Sequence, residues 1–370
     1  MPDLSIAGHD ISVGETVDLR LPVTQTFTGD SLGMPVRVIR GEEEGKTLFV
    51  TAAVHGDEIN GTGIIHDLMY ARRPTIRRGT LILVPVVDVF GFETQSRYMP
   101  DRRDLNRCFP GGATGSLSSR VASLLFEEIV TKCDFGLDLH SAATGRTNFP
   151  NVRADLSNPG CRELAEAFGC ELMVDGTGPE GSLRRSAVEA GVPTVILEAG
   201  EVSKIEPTVL EIGVRGVLNT LAVLGMTDDE PTSPPYLAHV GRTTWVRAEQ
   251  GGLLRFHVTP GELVEKDQPI STNLSVFGES QNTLVSPADG IVLGMTTLPI
   301  VKPGEPVCHI AVPDEPLERV REALAEASKK SLDHQVRRDL ATNVTVSGHE
   351  DLEAAATELS DSSNELQLNN

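Results

Sequence analysis

The feature that most constrains the fold of this chain is an alternation of apolar runs and amphipathic segments between residues 47 and 225. The apolar runs are nearly continuous, as expected of strands that are covered on both faces of a sheet. They are TLFVTAAV (47–54), GTLILVPVVDV (79–89), FGLDLHS (135–141) and PTVILEAG (193–200). Segments with helical spacing of apolar residues separate these runs. The alternation predicts an α/β fold with a mostly parallel sheet flanked by helices.

The pattern of alternating apolar and amphipathic segments ends at residue 225. Residues 226–236 read as an acidic, Pro-rich linker, and short strand-like segments with Pro-Gly and Asp-Gly turns follow it. We therefore predict an α/β domain over residues 1–228 and an all-β accessory domain over residues 236–313. Residues 314–370 are predicted to form a charged, helix-like segment followed by an acidic, disordered tail.

Charge and cysteine content exclude several classes of protein. The 370 residues include 32 Lys and Arg against 53 Asp and Glu, a formal net charge of −21. This argues against general affinity for nucleic acid or an anionic membrane, because both require a basic surface. The five cysteines are scattered without a CxxC pair, so neither a disulfide framework nor a thiolate metal site is expected. With no secretory signal and no apolar run of ~18 residues, we expect a cytoplasmic protein.

Three residues at the ends of strand-like runs suggest a metal site. His55 and Glu58 lie in VHGDE, directly after the first apolar run, and His140 ends the run DLH. Ligands bind at the carboxyl ends of strands in open α/β sheets. Two imidazoles and one carboxylate are the ligand set of a catalytic zinc, with a fourth position left for water. For His55 alone, a surface turn is the alternative; the three residues together predict one Zn²⁺ per chain.

A further carboxylate ends the fourth apolar run. Glu198, in VILEAGE, would face the same crevice and is a candidate general base for a metal-activated water. The alternative interpretations are a helix-capping residue or a solvated acid, and Glu201 is the local competitor.

An arginine-rich segment, residues 96–112, lies between the ligand motifs. Asn106 and Arg107 precede a tight turn, CFPGG, and are predicted to bind substrate. A guanidinium offers a two-pronged contact to a carboxylate, and the amide adds a donor. A solvated basic face explains the remaining arginines as well as a functional role does. These arginines are Arg97, Arg102 and Arg103.

Four motifs in order, HGDE, DLNRCFPG, DLH and EAG, resemble the succinylglutamate desuccinylase/aspartoacylase family of zinc carboxypeptidase-like hydrolases. The resemblance covers roughly residues 30–225 and implies a zinc-carboxypeptidase-like mixed sheet. It implies that the zinc ligands are His55, Glu58 and His140. The other implied roles are a general base at Glu198, and a grip on the substrate carboxylate by Asn106 and Arg107. In the family an upstream arginine polarises the scissile carbonyl, a role for which Arg97, Arg102 and Arg103 compete.

The β-rich region is similar to biotinyl and lipoyl carrier domains in GELVEKDQPI, LVSPADGIV and KPGEPVCHI. The stretch that carries the modified lysine in those domains reads NLSVFGESQNT (273–283) here and contains no lysine. This excludes a swinging-arm carrier, and we expect a barrel-sandwich-like accessory domain instead.

The leading functional hypothesis is a zinc-dependent amidohydrolase that cleaves the linear amide bond of a small, anionic N-acyl amino acid. One alternative is a metallocarboxypeptidase acting on short or cell-wall peptides. Another is a non-catalytic binding protein of the same fold, against which the presence of all three ligands and Glu198 argues. The acyl group, the amino acid and a homo-oligomeric state stay open.

Overall fold

The computed structural model of the chain describes residues 4–25, 28–326 and 331–342, and these residues form two compact units. The first unit extends to Thr144 and resumes from Pro150 to His239. The second contains Gly145–Phe149 and the described residues from Val240 onward.

The sequence did not reveal that Gly145–Phe149 belongs with the C-terminal residues. The tail predicted to be disordered lies, from residue 343 onward, outside the described residues.

The first unit alternates strands and helices. Its strands are β1 (Leu4–Ile6), β2 (His9–Ile11), β3 (Thr16–Gln25), β4 (Ser31–Arg40), β5 (Glu43–Ala52), β6 (Arg78–Val84), β7 (Phe135–His140), β8 (Arg146–Ala154), β9 (Leu172–Asp175), β10 (Thr194–Glu201) and β11 (Ala238–Val240), of which β8 begins in the second unit and β11 ends in it. Its helices are α1 (Asn60–Tyr70), α2 (Val89–Thr94), α3 (Leu117–Glu128), α4 (Pro159–Phe168), α5 (Leu183–Glu189) and α6 (Pro207–Val223), with 3-10 turns at Leu105–Arg107 and Val130–Lys132.

The main sheet of the first unit is mixed, with the strand order β3-β4-β6-β5-β7-β10-β8-β9. β5 pairs in parallel with β6 and β7, and β7 pairs in parallel with β10. The pairs β3-β4 and β4-β6 are antiparallel. The predicted α/β class with a mixed sheet and flanking helices is confirmed.

The central strands form where the sequence is apolar without interruption, because both faces are covered. Phe49 of β5 is fully buried, and β7 passes so close that a Cβ on Gly136 would lie 2.1 Å from the ring. α6 packs against both α1 and α4. Ser116 and Asn158 cap the first turns of α3 and α4, accepting hydrogen bonds from otherwise unpaired backbone N–H groups.

Strand β8 has no counterpart among the sequence predictions. Its sequence, RTNFPNVRA, is interrupted by Pro150 and by polar residues, so it lacks the continuous apolar run of its neighbours. Phe149 and Val152 are nevertheless buried. Tertiary packing, rather than the local pattern, decides this strand.

The second unit contains short strands, which are largely antiparallel. Its remaining elements are β12 (Arg242–Arg247), β13 (Gly252–Phe256), β14 (Leu263–Val264), β15 (Pro269–Leu274), β16 (Ser280–Val285), β17 (Gly290–Thr296), β18 (Ile300–Val301), β19 (Pro306–Val312), α7 (Leu317–Glu326) and α8 (Leu332–Ala341). One sheet has the order β16-β15-β13-β18. In the other, β19 lies between β12 and β17, and β17 also pairs with the first residues of β8. The predicted C-terminal β-sheet region is confirmed.

Within the described ranges, every helix is too short or too polar to cross a membrane.

Candidate functional site

The carboxyl ends of two neighbouring parallel strands bring the predicted metal ligands together. Ala52 at the end of β5 pairs with Leu139 of β7, so the turn after β5 lies beside the end of β7. His55 and Glu58 occupy this turn, and His140 is the last residue of β7. One donor atom from each of the three buried side chains lies within 4.8 Å of the others. In the described part of the chain, this is the one cluster of His, Cys, Asp or Glu found that could hold a metal ion.

The turn that carries His55 and Glu58 is fixed by close backbone packing. Ala53, which is fully buried, has a φ of 48°, a conformation that favours glycine. A Cβ on Gly56 would lie 1.8 Å from the carbonyl carbon of Gly91 in α2, so a larger residue does not fit there without a shift of the backbone. This packing determines where the two ligands point.

Each imidazole of the cluster is held at both ring nitrogens. The Nδ1 atoms of His55 and His140 lie 2.6 and 2.8 Å from the two carboxylate oxygens of Glu58. On the other side, His55 Nε2 lies 3.0 Å from Asp104 Oδ1, and His140 Nε2 lies 2.7 Å from Asp138 Oδ2. A carboxylate on the outer nitrogen orients the ring of a metal-binding histidine and raises its basicity.

The same contacts determine the charge state of the cluster. Burial opposes the charge of Glu58, but His55 and His140 outweigh it and hold the pKa of this carboxyl well below its usual range. Burial likewise opposes the charge of both imidazoles, whereas the neighbouring carboxylates outweigh it and raise their pKa values. Because a metal binds the neutral imidazole, metal binding at this cluster competes with protonation of His55 and His140.

Of the three competing arginines, Arg97 is the one that contacts the cluster. Its Nη1 lies 3.1 Å from Glu58 Oε1, and its Nη2 lies 3.0 Å from Asp104 Oδ2. Arg102 and Arg103 are exposed, and the side chain of Arg103 is 63 % accessible to solvent. The positive charge beside the ligands therefore comes from Arg97.

Asn106 and Arg107 lie in the 3-10 turn Leu105–Arg107. Asn106 is buried, and its Oδ1 accepts a hydrogen bond of 2.8 Å from the backbone N of Leu183, the first residue of α5. Arg107 is exposed, and its Nη1 donates to the backbone oxygen of Asn106 at 2.6 Å. Asn106 thus ties the turn to α5, while the guanidinium of Arg107 faces solvent.

Glu198 lies in β10 directly beside His140 in β7, since the two residues are paired in register on parallel strands. Its side chain is 16 % exposed, and its Oε1 lies 3.8 Å from Nη1 of Arg153. The competitor Glu201 forms a 2.6 Å ion pair with Lys204. Glu198 is the carboxylate paired in register with His140, and this position favours it over Glu201 as the candidate base.

The sequence analysis did not single out three residues of this region: Asp104, Asp138 and Arg184. Asp138 precedes His140 by two positions on a strand, so both side chains lie on the same face, and this spacing could have identified it. Asp104 lies two positions before Asn106 in the DLNR motif, where its N-capping contact to the 3-10 turn could have been anticipated.

Arg184, in α5, is an unusual buried cation. It is 5 % exposed, and neither Nε nor Nη1 has a hydrogen-bond partner within the described part of the chain. Burial, and then the positive charge of Arg153, lower its pKa to about 10, so it is still protonated at neutral pH. A buried guanidinium with unused N–H groups is costly unless an anion joins it.

Comparisons with known proteins found a matching family model and a related enzyme. Residues 44–224 match the family model described as "Succinylglutamate desuccinylase/Aspartoacylase catalytic domain". The N-alpha-acetyl-L-2,4-diaminobutyric acid deacetylase of Halomonas elongata is 28 % identical over 266 residues, which cover 68 % of this chain and 78 % of that protein.

Two solved structures have the same fold. The succinylglutamate desuccinylase/aspartoacylase from Rhodobacter sphaeroides has a TM-score of 0.71 and 26 % identity, and the match covers 82 % of this chain and 96 % of that one. The product-bound ectoine utilization protein EutE (DoeB) from Ruegeria pomeroyi also has a TM-score of 0.71, with 24 % identity and coverage of 80 % and 95 %. The chain therefore belongs to the succinylglutamate desuccinylase/aspartoacylase family and carries its catalytic domain over residues 44–224.

Proposed function

We propose that this protein is a zinc-dependent amidohydrolase that cleaves the linear amide bond of a small, anionic N-acyl amino acid. The observation that carries this proposal is the convergence of His55, Glu58 and His140 within 4.8 Å at the ends of two parallel strands. The relative in Halomonas elongata, named for the deacetylation of an N-acetylated diamino acid, supports the substrate class.

The donor set fits one zinc ion per chain. Zinc in catalytic sites takes three protein ligands of this chemistry and leaves one position open. Asp104 and Asp138 contact the Nε2 atoms of the two histidines, so both Nδ1 atoms are directed at Glu58. A metal ion at that point would be bound by all three residues. When bound, zinc supplies Lewis-acid polarisation of the amide carbonyl and activation of water.

The remaining residues of the site have separate proposed roles. Glu198, beside His140, accepts the proton of the attacking water and returns it to the leaving amine. Arg97 provides positive charge beside the cluster, where charge develops on the carbonyl oxygen during attack.

A group of donors is proposed to hold the substrate carboxylate. Arg107 offers an exposed guanidinium, and Asn106 holds the turn that carries it. Arg184 offers two nitrogen atoms, Nε and Nη1, that have no hydrogen-bond partner among the described residues, and its charge interacts with that of Glu198. Arg102 is exposed in the same loop and is a further candidate for binding an anionic substrate.

The alternative functions are a metallocarboxypeptidase and a non-catalytic binding protein. The test is a panel assay in which zinc-loaded protein is given N-acetyl and N-succinyl amino acids and short peptides, and amine release is measured. We expect hydrolysis of an N-acyl amino acid by the wild type and not by Glu198→Gln. Preferential cleavage of peptides would favour the carboxypeptidase, and zinc binding without hydrolysis of any substrate would favour the binding protein.

The proposal also covers the architecture of the second unit and the location of the protein in the cell. We infer a barrel-sandwich arrangement for the second unit, because Leu254 and Phe256 of one sheet and Val292 and Ile310 of the other share one apolar cluster. We also infer a cytoplasmic location, in agreement with five free cysteines in the structure.

A further inference from the structure

We propose that Asp104 is a positioning residue that sets the metal ligand His55 and the arginine Arg97 together. This inference rests on the proposed function and names how two of its groups are coupled. Asp104 Oδ1 lies 3.0 Å from His55 Nε2, and Asp104 Oδ2 lies 3.0 Å from Nη2 of Arg97. One carboxylate thus orients a group that would hold the metal and a group that would act on the substrate.

The contacts of Asp104 close a ring. Arg97 Nη1 lies 3.1 Å from Glu58 Oε1, and Glu58 Oε1 lies 2.6 Å from His55 Nδ1. Asp104 completes the circuit between Arg97 and His55. Arg97 Nη1 also lies 3.3 Å from His55 Nδ1. A displacement of Arg97 therefore acts on Glu58 and His55 directly, and on His55 a second time through the stronger, charged contact to Asp104.

Asp104 also anchors the turn that carries the proposed carboxylate-binding residues. Its Oδ1 accepts a hydrogen bond of 2.9 Å from the backbone N of Asn106, as the N-cap of the 3-10 turn. The position of Arg107, the next residue, depends on the same cap. Asp104 is thus linked to the groups at both ends of a bound N-acyl amino acid.

Asp138 provides a matched control. It holds the Nε2 of His140 at 2.7 Å, as Asp104 holds that of His55. Its other oxygen accepts a hydrogen bond of 2.8 Å from Thr51 Oγ1 in β5, not from an arginine. Asp138 therefore orients a metal ligand without coupling it to Arg97.

The variant Asp104→Asn separates the two contacts. Its amide oxygen can keep the contacts to His55 and Asn106, whereas its amide nitrogen replaces the oxygen that accepts from Arg97. Two donors then face each other, and the contact to Arg97 is lost. Both Asp104→Asn and Asp138→Asn should weaken zinc binding about 10- to 100-fold, as measured by competition with a chelator, because each loses the charge behind a ligand.

The decisive measurement is a pair of double-mutant cycles with Arg97→Gln, using kcat and KM at saturating zinc. If Asp104 acts through Arg97, the loss caused by Asp104→Asn should largely disappear in the Arg97→Gln background, a coupling of about tenfold. The losses from Asp138→Asn and Arg97→Gln should multiply. Independent effects in both cycles, or an unchanged zinc affinity in Asp104→Asn, would overturn the proposal.

Two further measurements separate a failure of this proposal from a failure of the protein to fold or of the proposed function. If Asp104→Asn does not fold, Arg97→Lys tests the same contact, because one ammonium group cannot reach both Asp104 and Glu58 as the guanidinium does. The kcat of this variant should fall at least about tenfold. A kcat equal to that of the wild type would overturn the proposal. Failure of the wild type to bind zinc or to hydrolyse any N-acyl amino acid would remove the proposed function itself. Zinc binding and hydrolysis by the wild type are therefore measured before any variant is made.

Discussion

Glu198 and His140 are partners in register on the parallel strands β10 and β7. Paired residues on adjacent parallel strands project from the same face of a sheet, so the carboxylate lies beside an imidazole of the proposed metal site. The sheet itself, rather than a flexible loop, therefore sets the spacing between the proposed base and the proposed metal site.

Replacement of Glu198 by glutamine should abolish turnover and leave zinc content and folding intact. The substitution nearly preserves shape but removes the proton acceptor, and the loss of such a group lowers the rate by roughly 10²–10⁴-fold. The measurements are kcat and zinc content by elemental analysis. Glu201→Gln is the matched control, because Glu201 is paired with Lys204; if that variant lost turnover while Glu198→Gln kept it, the base would be misassigned.

Removal of either imidazole should empty the metal site. His55→Ala and His140→Ala each delete one of three protein ligands, and we expect both to lose most of their zinc after dialysis against a weak chelator. His66→Ala is the control, since His66 is exposed on α1. Zinc content equal to that of the wild type in both ligand variants would contradict the assignment.

Substitution of Arg184 by methionine should raise stability and weaken substrate binding. The change relieves a buried, unpaired guanidinium, which predicts a gain of about 1–2 kcal/mol and a Tm increase of about 2–4 °C. KM for an N-acyl amino acid should rise at least about tenfold, because a charge-assisted contact to the substrate carboxylate is lost.

The neighbouring Arg185 offers the control for this variant. Its side chain is 38 % exposed and is paired with Glu189 at 2.8 Å. Arg185→Met should change neither Tm nor KM appreciably. A fall in Tm in Arg184→Met without a change in KM would show that Arg184 only supports the fold.

The stability of the protein should depend on pH through Asp88. Burial raises the pKa of this carboxyl to about 6. The folded protein thus binds the proton more tightly than the unfolded chain, so the stabilisation is complete below about pH 4 and is lost as the pH rises through about 6. Asp88→Asn should keep the cap on Gly91 of α2 and flatten the decline of the unfolding free energy over this range, by up to about 3 kcal/mol.

Asp18 gives the opposite sign and serves as the control. Its hydrogen bond with Arg37 lowers its pKa, so its contribution is present at neutral pH and is lost on acidification. Thermal unfolding of Asp88→Asn and Asp18→Asn from about pH 2 to pH 7 measures both effects, because the contribution of Asp18 is lost only below about pH 4. A pH slope in Asp88→Asn that matches the wild type would show that this carboxyl does not control the dependence.

The convergence of His55, Glu58 and His140 could be predicted because each lies at the end of a recognisable strand. A run of buried apolar residues ends abruptly at the edge of a sheet, and these three residues stand at those ends. The same reasoning predicted that Glu198 lies at this edge, beside His140. Strand β8 was missed because its burial depends on neighbours distant in sequence, which cover Phe149 and Val152 despite the polar residues between them.

The choice among arginines could not be made from sequence for a different physical reason. Arg184 and Arg185 are adjacent and chemically identical, yet one is buried without hydrogen bonds at Nε and Nη1 and the other is paired at the surface. Likewise, Arg97 contacts the cluster while Arg102 and Arg103 point to solvent. Such differences arise from the path of the backbone after folding, and no local pattern encodes them.

The assignment of Gly145–Phe149 to the second unit has a consequence for any attempt to divide the protein. Asn148 pairs with Gly294 of β17, so this short segment is a strand partner of the C-terminal part of the chain. Cutting the chain near residue 240 would leave the segment without its strand partner, five residues after His140. The C-terminal unit is therefore not a detachable module: a clean separation needs three breaks in the chain, and a single truncation would expose a strand edge close in sequence to His140.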